Sequence, residues 1–84
     1  MLSIQYFASI REALDRGSEE LELPENVGSV QGLIDYLLST NPHFSVVFKE
    51  GNKVLVAVNQ TVVDRDHPLS RHDEVAFFPP MTGG

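Results

Sequence analysis

No cysteine occurs anywhere in the chain, which excludes disulfides, thiolate metal sites and a cysteine nucleophile, and leaves no side chain able to carry sulfur as a persulfide. Positive charge is also scarce. Six Lys and Arg stand against twelve Asp and Glu, for a formal net charge of -6. Such a surface repels phosphates instead of displacing their counterions, so a nucleic-acid partner is not expected. The acidity serves solubility and a meeting with basic partners equally well. Apolar runs are short and none approaches a membrane span. The opening Met1-Leu-Ser-Ile-Gln-Tyr6 lacks the basic region and sustained apolar stretch of a secretory signal, so a cytoplasmic location is expected.

What is present is a globular composition, 42% hydrophobic, in 84 residues without an internal repeat, linker or low-complexity tract. A chain of this size holds one core and buries roughly 60–65% of its unfolded surface. Leu2, Ile4 and Tyr6 alternate with Ser3, Gln5 and Phe7, the period of a half-buried strand, which places an apolar Phe7 on the polar face. Ser9 and Glu12 have capping-box spacing before Ile10, Ala13 and Leu14, predicting a short helix that ends before Gly17. Glu19 to Leu23 reads as a second strand, with Leu21 and Leu23 inward and Glu20 and Glu22 outward.

Ser29 is placed to cap a main helix whose Val30, Leu33, Ile34, Leu37 and Leu38 recur at helical spacing. Asn41-Pro42 breaks it, because proline disfavours the α conformation in the residue before it. Phe44, Val47 and Phe48 suggest a further short helix, and Glu50-Gly-Asn-Lys53 a turn. The β-branched run Val54 to Val58 suits a central strand covered on both faces, joined by a tight turn at Asn59-Gln60 to a partner at Thr61 to Val63. Asp73 to Phe78 closes the pattern. The order implies an α+β fold, a mixed sheet packed against a main helix, and a β-grasp is one of the small folds it fits. The expected division is a domain over residues 1–78 and an extended tail over 79–84.

The body of this chain offers no catalytic side-chain constellation. His43, His67 and His72 lack metal-site spacing, none of Ser9, Ser29, Ser39, Ser45 or Ser70 sits in a nucleophile elbow, and Asp64 and Asp66 read as solvated turn residues. No metal and no cofactor is called for. The tail differs. Pro79-Pro80 hold an extended path and lack donors, and Met81-Thr82-Gly83-Gly84 follow, ending in two residues without Cβ. Such a tail can thread a narrow channel in a partner. Its special group is the α-carboxylate of Gly84, inert until ATP-dependent adenylation gives it a leaving group. A sulfur nucleophile then yields a thiocarboxylate, and an amine yields an amide. The plain alternative is an ordinary chain end, where glycine is common.

Four blocks resemble the small subunit of molybdopterin synthase, a family of ubiquitin-like sulfur carriers: Tyr6-Phe-Ala-Ser-Ile-Arg-Glu12, Ala57-Val-Asn-Gln-Thr61, Asp66-His-Pro-Leu69 and Asp73-Glu-Val-Ala-Phe-Phe-Pro-Pro-Met-Thr-Gly-Gly84. The resemblance spans the chain. It implies a β-grasp domain whose Gly84 is adenylated by an ATP-dependent activating enzyme and converted to a thiocarboxylate. The sulfur comes through that enzyme or a sulfurtransferase. The charged tail then enters the large synthase subunit and donates sulfur to a cyclic pterin precursor, building the dithiolene that holds molybdenum. The two subunits would form a heterotetramer with the catalytic side chains in the partner. Gly83 would give access to Gly84, and Phe7, Val62 and Phe78 would form the docking patch. Where the family usually has glycine, this chain has His72, which implies a turn with positive φ and some strain. Three rival readings are a thiamine-pathway sulfur carrier, a ubiquitin-like modifier ending as an amide on lysine, and a passive interaction module.

Overall fold

The computed structural model describes residues 1–49 and 53–80. Leu2, Ile4 and Tyr6 are buried along β1 (Leu2–Tyr6) while Ser3 and Gln5 stay partly open, so the alternation of the sequence is the alternation of the strand. Phe7 remains tied to the sheet, its N–H donating to the Phe77 carbonyl at 3.1 Å. Helix α1 (Ala8–Leu14) begins immediately afterwards. This overturns the expected Ser9 cap: Phe7 occupies the cap position and makes no side-chain bond, and Ser9 lies inside the first turn. The reason is the abrupt junction. Ala8 takes a left-handed φ of 53°, turning the chain from strand to helix in one residue, and the Phe7 carbonyl accepts from the Ile10 and Arg11 N–H groups. Ile10 and Leu14 are buried, and Ala13 is exposed instead of completing the inner stripe.

Strand β2 (Ser18–Leu21) ends two residues earlier than the sequence suggests. Leu21 already pairs with Leu2, the first residue of β1, so nothing remains to extend the ladder towards Leu23. Leu21 and Leu23 nonetheless pack against the core. Helix α2 (Val30–Thr40) starts where expected, with the Ser29 hydroxyl oxygen accepting from the Gly32 N–H at 3.1 Å. The other leading N–H groups are also satisfied. Val30 donates to the His67 carbonyl at 3.0 Å and Gln31 to the Arg65 carbonyl at 2.8 Å, so the loop after the hairpin closes the end of the helix.

A short α3 (Phe44–Phe48) follows Pro42 and buries Phe44 and Val47. Three of the turn residues expected at 50–53, numbers 50–52, lie outside the described residues. Strands β3 (Leu55–Val58) and β4 (Thr61–Val63) form the expected hairpin, with Asn59 and Gln60 both at positive φ, as a tight two-residue turn requires. Strand β5 (Glu74–Phe78) completes a mixed sheet of order β2-β1-β5-β3-β4, parallel between β1 and β5 and antiparallel elsewhere. The centre is therefore β5, not the Val54–Val58 run. Nor is that run covered on both faces. Val56 and Val58 belong to the core, whereas on the other face Leu55 is partly open and Ala57, though itself buried, lies beside an exposed Val62.

The core face carries Ile4, Tyr6, Val56, Val58, Val75 and Phe77 against Ile10, Leu33, Ile34, Leu37 and Phe44. Rings of Tyr6, Phe44, Phe48 and Phe77 meet with centroids 5.4 to 6.2 Å apart, within the range of favourable aromatic pairing. The Tyr6 hydroxyl is not stranded there: it donates to Glu19 at 2.6 Å, and Arg16 donates to the same carboxylate oxygen at 3.2 Å. Burial, reinforced by the Glu19 carboxylate, pushes the Tyr6 phenol well above its ordinary pKa and keeps it neutral. Among the described residues no helix is long and apolar enough to cross a membrane.

Candidate functional site: the open sheet face and the base of the tail

Register decides which of the proposed interface residues share a surface. Leu55 pairs with Phe78, Ala57 with Ala76 and Val62, and Gln5 with Ala76. Side chains alternate along each strand, so Leu55, Ala57, Val62, Ala76 and Phe78 all belong to the face turned away from the helices. Val62 is 63% exposed and Phe7, just beyond the end of β1, is 49% exposed. Their strand neighbours Val63 and Phe77 turn inward, Phe77 completely. The order of strands sets Phe78 between Phe7 on one side and Leu55, Ala57 and Val62 on the other. The result is an apolar strip that crosses four strands.

Sequence reasoning missed Leu55, Ala57 and Ala76 as members of this strip. The run from Val54 to Val58 is apolar at every position, so its alternation is invisible until the pairing partners are known. Ala57 and Ala76 contribute in a particular way: opposite one another and small, they leave Phe78 and Val62 as the relief of the surface.

The far end of the same strand is fastened by polar groups. The Asn59 amide nitrogen donates to Asp73 at 2.9 Å, its amide oxygen accepts from the Glu74 N–H at 3.0 Å, and its own N–H donates to the Glu74 carbonyl at 2.8 Å. The second Asp73 oxygen accepts from the Ser70 N–H at 2.8 Å. That bond, aided by the Asn59 amide, holds the Asp73 carboxyl below its ordinary pKa. Here too lies a correction. His72 is not among the non-glycine residues with positive φ, so the strained turn expected at this position does not occur. The turn is closed by the Asp73 N–H donating to the Ser70 carbonyl and by the Asp73 side chain, neither of which needs a left-handed residue.

Beyond Phe78, Pro79 and Pro80 are partly buried and cannot donate to a ladder, which ends the strand. Met81, Thr82, Gly83 and Gly84 lie outside the described residues. The three histidines are dispersed, with His43 preceding α3, His67 in the loop that closes α2, and His72 near the N-terminal amine at 3.3 Å. No group of three or more His, Asp or Glu side chains among the described residues is placed to hold a metal ion.

Comparison with known proteins covers nearly the whole chain. It is 39% identical to the molybdopterin synthase sulfur carrier subunit of Escherichia coli strain K12 over 84 residues, all of both chains. It is 32% identical, again over all of both chains, to the sulfur carrier subunit of the same name from Haemophilus influenzae. Among solved structures, SAMP1 from Haloferax volcanii superposes with a TM-score of 0.78, covering 99% of this chain and 98% of that one; at 23% identity this likeness establishes the fold, the ubiquitin-like β-grasp. Residues 4–84 match the ThiS family, and the chain belongs to it.

Proposed function

We propose that this chain is the sulfur carrier of a molybdopterin synthase and that Gly84 is the residue that carries the sulfur. The observation that bears the most weight is the full-length likeness to curated molybdopterin synthase sulfur carrier subunits, in a chain whose sequence ends Gly83-Gly84. An ATP-dependent activating enzyme would attack ATP with the Gly84 carboxylate, forming an acyl-adenylate and releasing pyrophosphate. Sulfide would then displace AMP and leave a thiocarboxylate directly; a persulfide on that enzyme or on a sulfurtransferase would displace AMP to give an acyl disulfide, which a second thiol cleaves to the thiocarboxylate as the two thiol sulfurs become a disulfide. In the large synthase subunit this group gives up its sulfur to the cyclic pterin precursor, the carboxylate is restored, and two such donations complete the dithiolene.

The division of labour follows from the chemistry available. Residues 1–78 act as the folded body and 79–84 as the arm. Pro79 and Pro80 stiffen the departure of the arm, Met81 and Thr82 extend it, and Gly83 leaves room around Gly84 in a channel too narrow for side chains. Phe7, Val62 and Phe78 provide the docking strip, supported by the exposure of Phe7 and Val62, the partial exposure of Phe78, and the register that puts Val62 and Phe78 on one face. Catalytic side chains belong to the partners, in a cytoplasmic assembly of two small and two large subunits.

The test is direct. The purified protein is incubated with its adenylating enzyme, ATP and a sulfur donor, alkylated with a thiol-selective reagent, and fragmented for mass spectrometry. Because the chain has no cysteine, label on Gly84 reports a thiocarboxylate without background from side-chain thiols. If an enzyme active on another carrier leaves Gly84 unlabelled, the proposal fails. Deleting Gly83 and Gly84 is expected to abolish sulfur transfer while changing stability by no more than about 0.5 kcal/mol, as a surface change does.

A further inference from the structure

Among the described residues, Asn59 and Gln60 take positive φ because they form the hairpin turn, and Asp15 because it caps the C-terminal end of α1. Ala8 has no comparable reason. Its φ of 53° falls between a strand and a helix, and alanine has a Cβ to crowd there and no polar side chain to bond its own backbone. The junction is fixed from both sides. Tyr6 and Ile10 are buried in the core, with Phe7, Ala8 and Ser9, all exposed, between them. Phe7 is extended, at φ -123° and ψ 153°, so it keeps the alternation of β1 and turns its side chain to the open face. Its N–H donates to the Phe77 carbonyl, which carries the pairing of Tyr6 with Phe77 one residue further and sets Phe7 beside Phe78. Its carbonyl accepts from the Ile10 and Arg11 N–H groups at 3.1 and 3.3 Å. The Phe7 ring has no such hold, since it belongs neither to the core nor to the residues packed against it. Backbone alone aims this ring, and the left-handed turn at Ala8 lets the chain leave for α1 without drawing Phe7 out of the sheet.

We infer that Ala8 is a positioning residue for docking, whose left-handed backbone holds the Phe7 ring on the open face beside Phe78 as an anchor already set in the free protein for the large synthase subunit. The inference rests on the proposed function, which takes this strip to dock on that subunit. An anchor fixed before binding loses little freedom on association, so the strained turn at Ala8 supports affinity and not the fold alone. The same geometry says how the device fails. The Phe7 ring has no core contact to lose, so a residue that resists the left-handed region relieves itself by moving Phe7 while the rest of the domain keeps its packing.

The experiment measures binding of the full-length protein to the purified large subunit by titration calorimetry, for wild type, Ala8→Val, Ala8→Asn, Phe7→Ala and Ala8→Val combined with Phe7→Ala. Gly84 labelling of the wild type checks the proposed function in parallel. Valine resists left-handed φ, whereas asparagine, of similar size, accepts it. Ala8→Val is expected to weaken binding about 5-fold, Ala8→Asn to stay within about 2-fold of wild type, and Phe7→Ala to weaken binding about 10-fold. On top of Phe7→Ala the valine should add no further loss, because the ring it displaces is gone. In the free protein the Phe7 N–H should exchange faster in Ala8→Val than in Ala8→Asn. Urea midpoints verify that the variants fold; if Ala8→Val does not, Ala8→Leu, bulky but unbranched at Cβ, takes its place in the cycle. Lower stability of Ala8→Val with unchanged binding makes the junction purely structural and overturns the inference, while the proposed function stands if the wild type binds and is labelled. Equal losses in Ala8→Val and Ala8→Asn trace the effect to bulk against the partner, and equal losses with and without the Phe7 ring trace it to another contact; either result also overturns the inference. Failure of the wild type to bind the large subunit or to take label removes the proposed function and the inference together.

Discussion

At its leading end β5 is fastened by directional bonds, with Asn59 and Asp73 bracketing Glu74, whereas the side chains at its trailing end, Phe77 and Phe78, hold by apolar contact alone before two residues that lack a donor. A hydrogen-bonded clasp fixes position along the strand because its geometry tolerates little displacement. Apolar surface fixes nothing so narrowly, but it can be shared with another molecule. The strand is thus indexed at one end and offered at the other, which is what a domain needs if its sequence must continue into a partner from a defined point.

This contrast can be broken from either end. Phe77 is fully buried in the aromatic cluster, so Phe77→Ala should cost about 3–5 kcal/mol in urea unfolding and remove the folded state from much of the population. At the clasp, Asn59→Ala loses both side-chain bonds and replaces a residue that tolerates φ 51° with one that does so less readily, for a loss of about 2 kcal/mol. Asn59→Gly keeps the turn conformation and loses only the bonds, so the difference between the two variants measures the backbone contribution.

Asp73 gives a pH signature to the same end. Its folded-state pKa lies below the ordinary value, so its stabilising effect is complete above the unfolded pKa and disappears as pH falls through the folded one. The urea midpoint of the wild type should therefore drop more steeply than that of Asp73→Asn between about pH 5 and pH 2. Equal slopes would mean that the carboxylate charge does not contribute. The smallest effect on stability is expected at the trailing end: Phe78→Ser on the open face should cost at most about 1 kcal/mol, yet weaken association with the large subunit about 10-fold. Weak unfolding combined with strong loss of binding is the pattern that separates offered surface from core.

Much of this arrangement is readable from local chemistry. Alternation in Leu2–Tyr6, the Ser29 cap and the Asn59-Gln60 turn each depend on a few neighbouring residues, and each occurs where the pattern places it. The Gly83-Gly84 tail is equally conspicuous in the sequence. What local chemistry could not supply is who pairs with whom. The parallel contact of β1 with β5 joins residues some seventy positions apart and gives β5 its central place, while the register of β1 with β2 sets the early end of β2 and that of β3 with β5 the membership of Leu55 in the open strip. The misplaced start of α1 has a similar origin: Phe7 stays bonded to Phe77, and that distant tie, not Ser9, decides where the helix begins. The relaxed backbone at His72 follows from the Asp73 and Ser70 bonds, which depend on β5 being in place.

The central position of β5 also bears on what a shortened chain could retain. A chain that stops before residue 74 retains two hairpin-like halves, β2 with β1 and β3 with β4, but no strand to join them and no Phe77 to complete the ring cluster. Such a fragment has neither the folded body nor the strip that the body displays. The segment that leads into the arm is therefore the keystone of the domain. Under the proposed function, a chain truncated there would lack the folded body as well as the glycine, and would not compete for an activating enzyme.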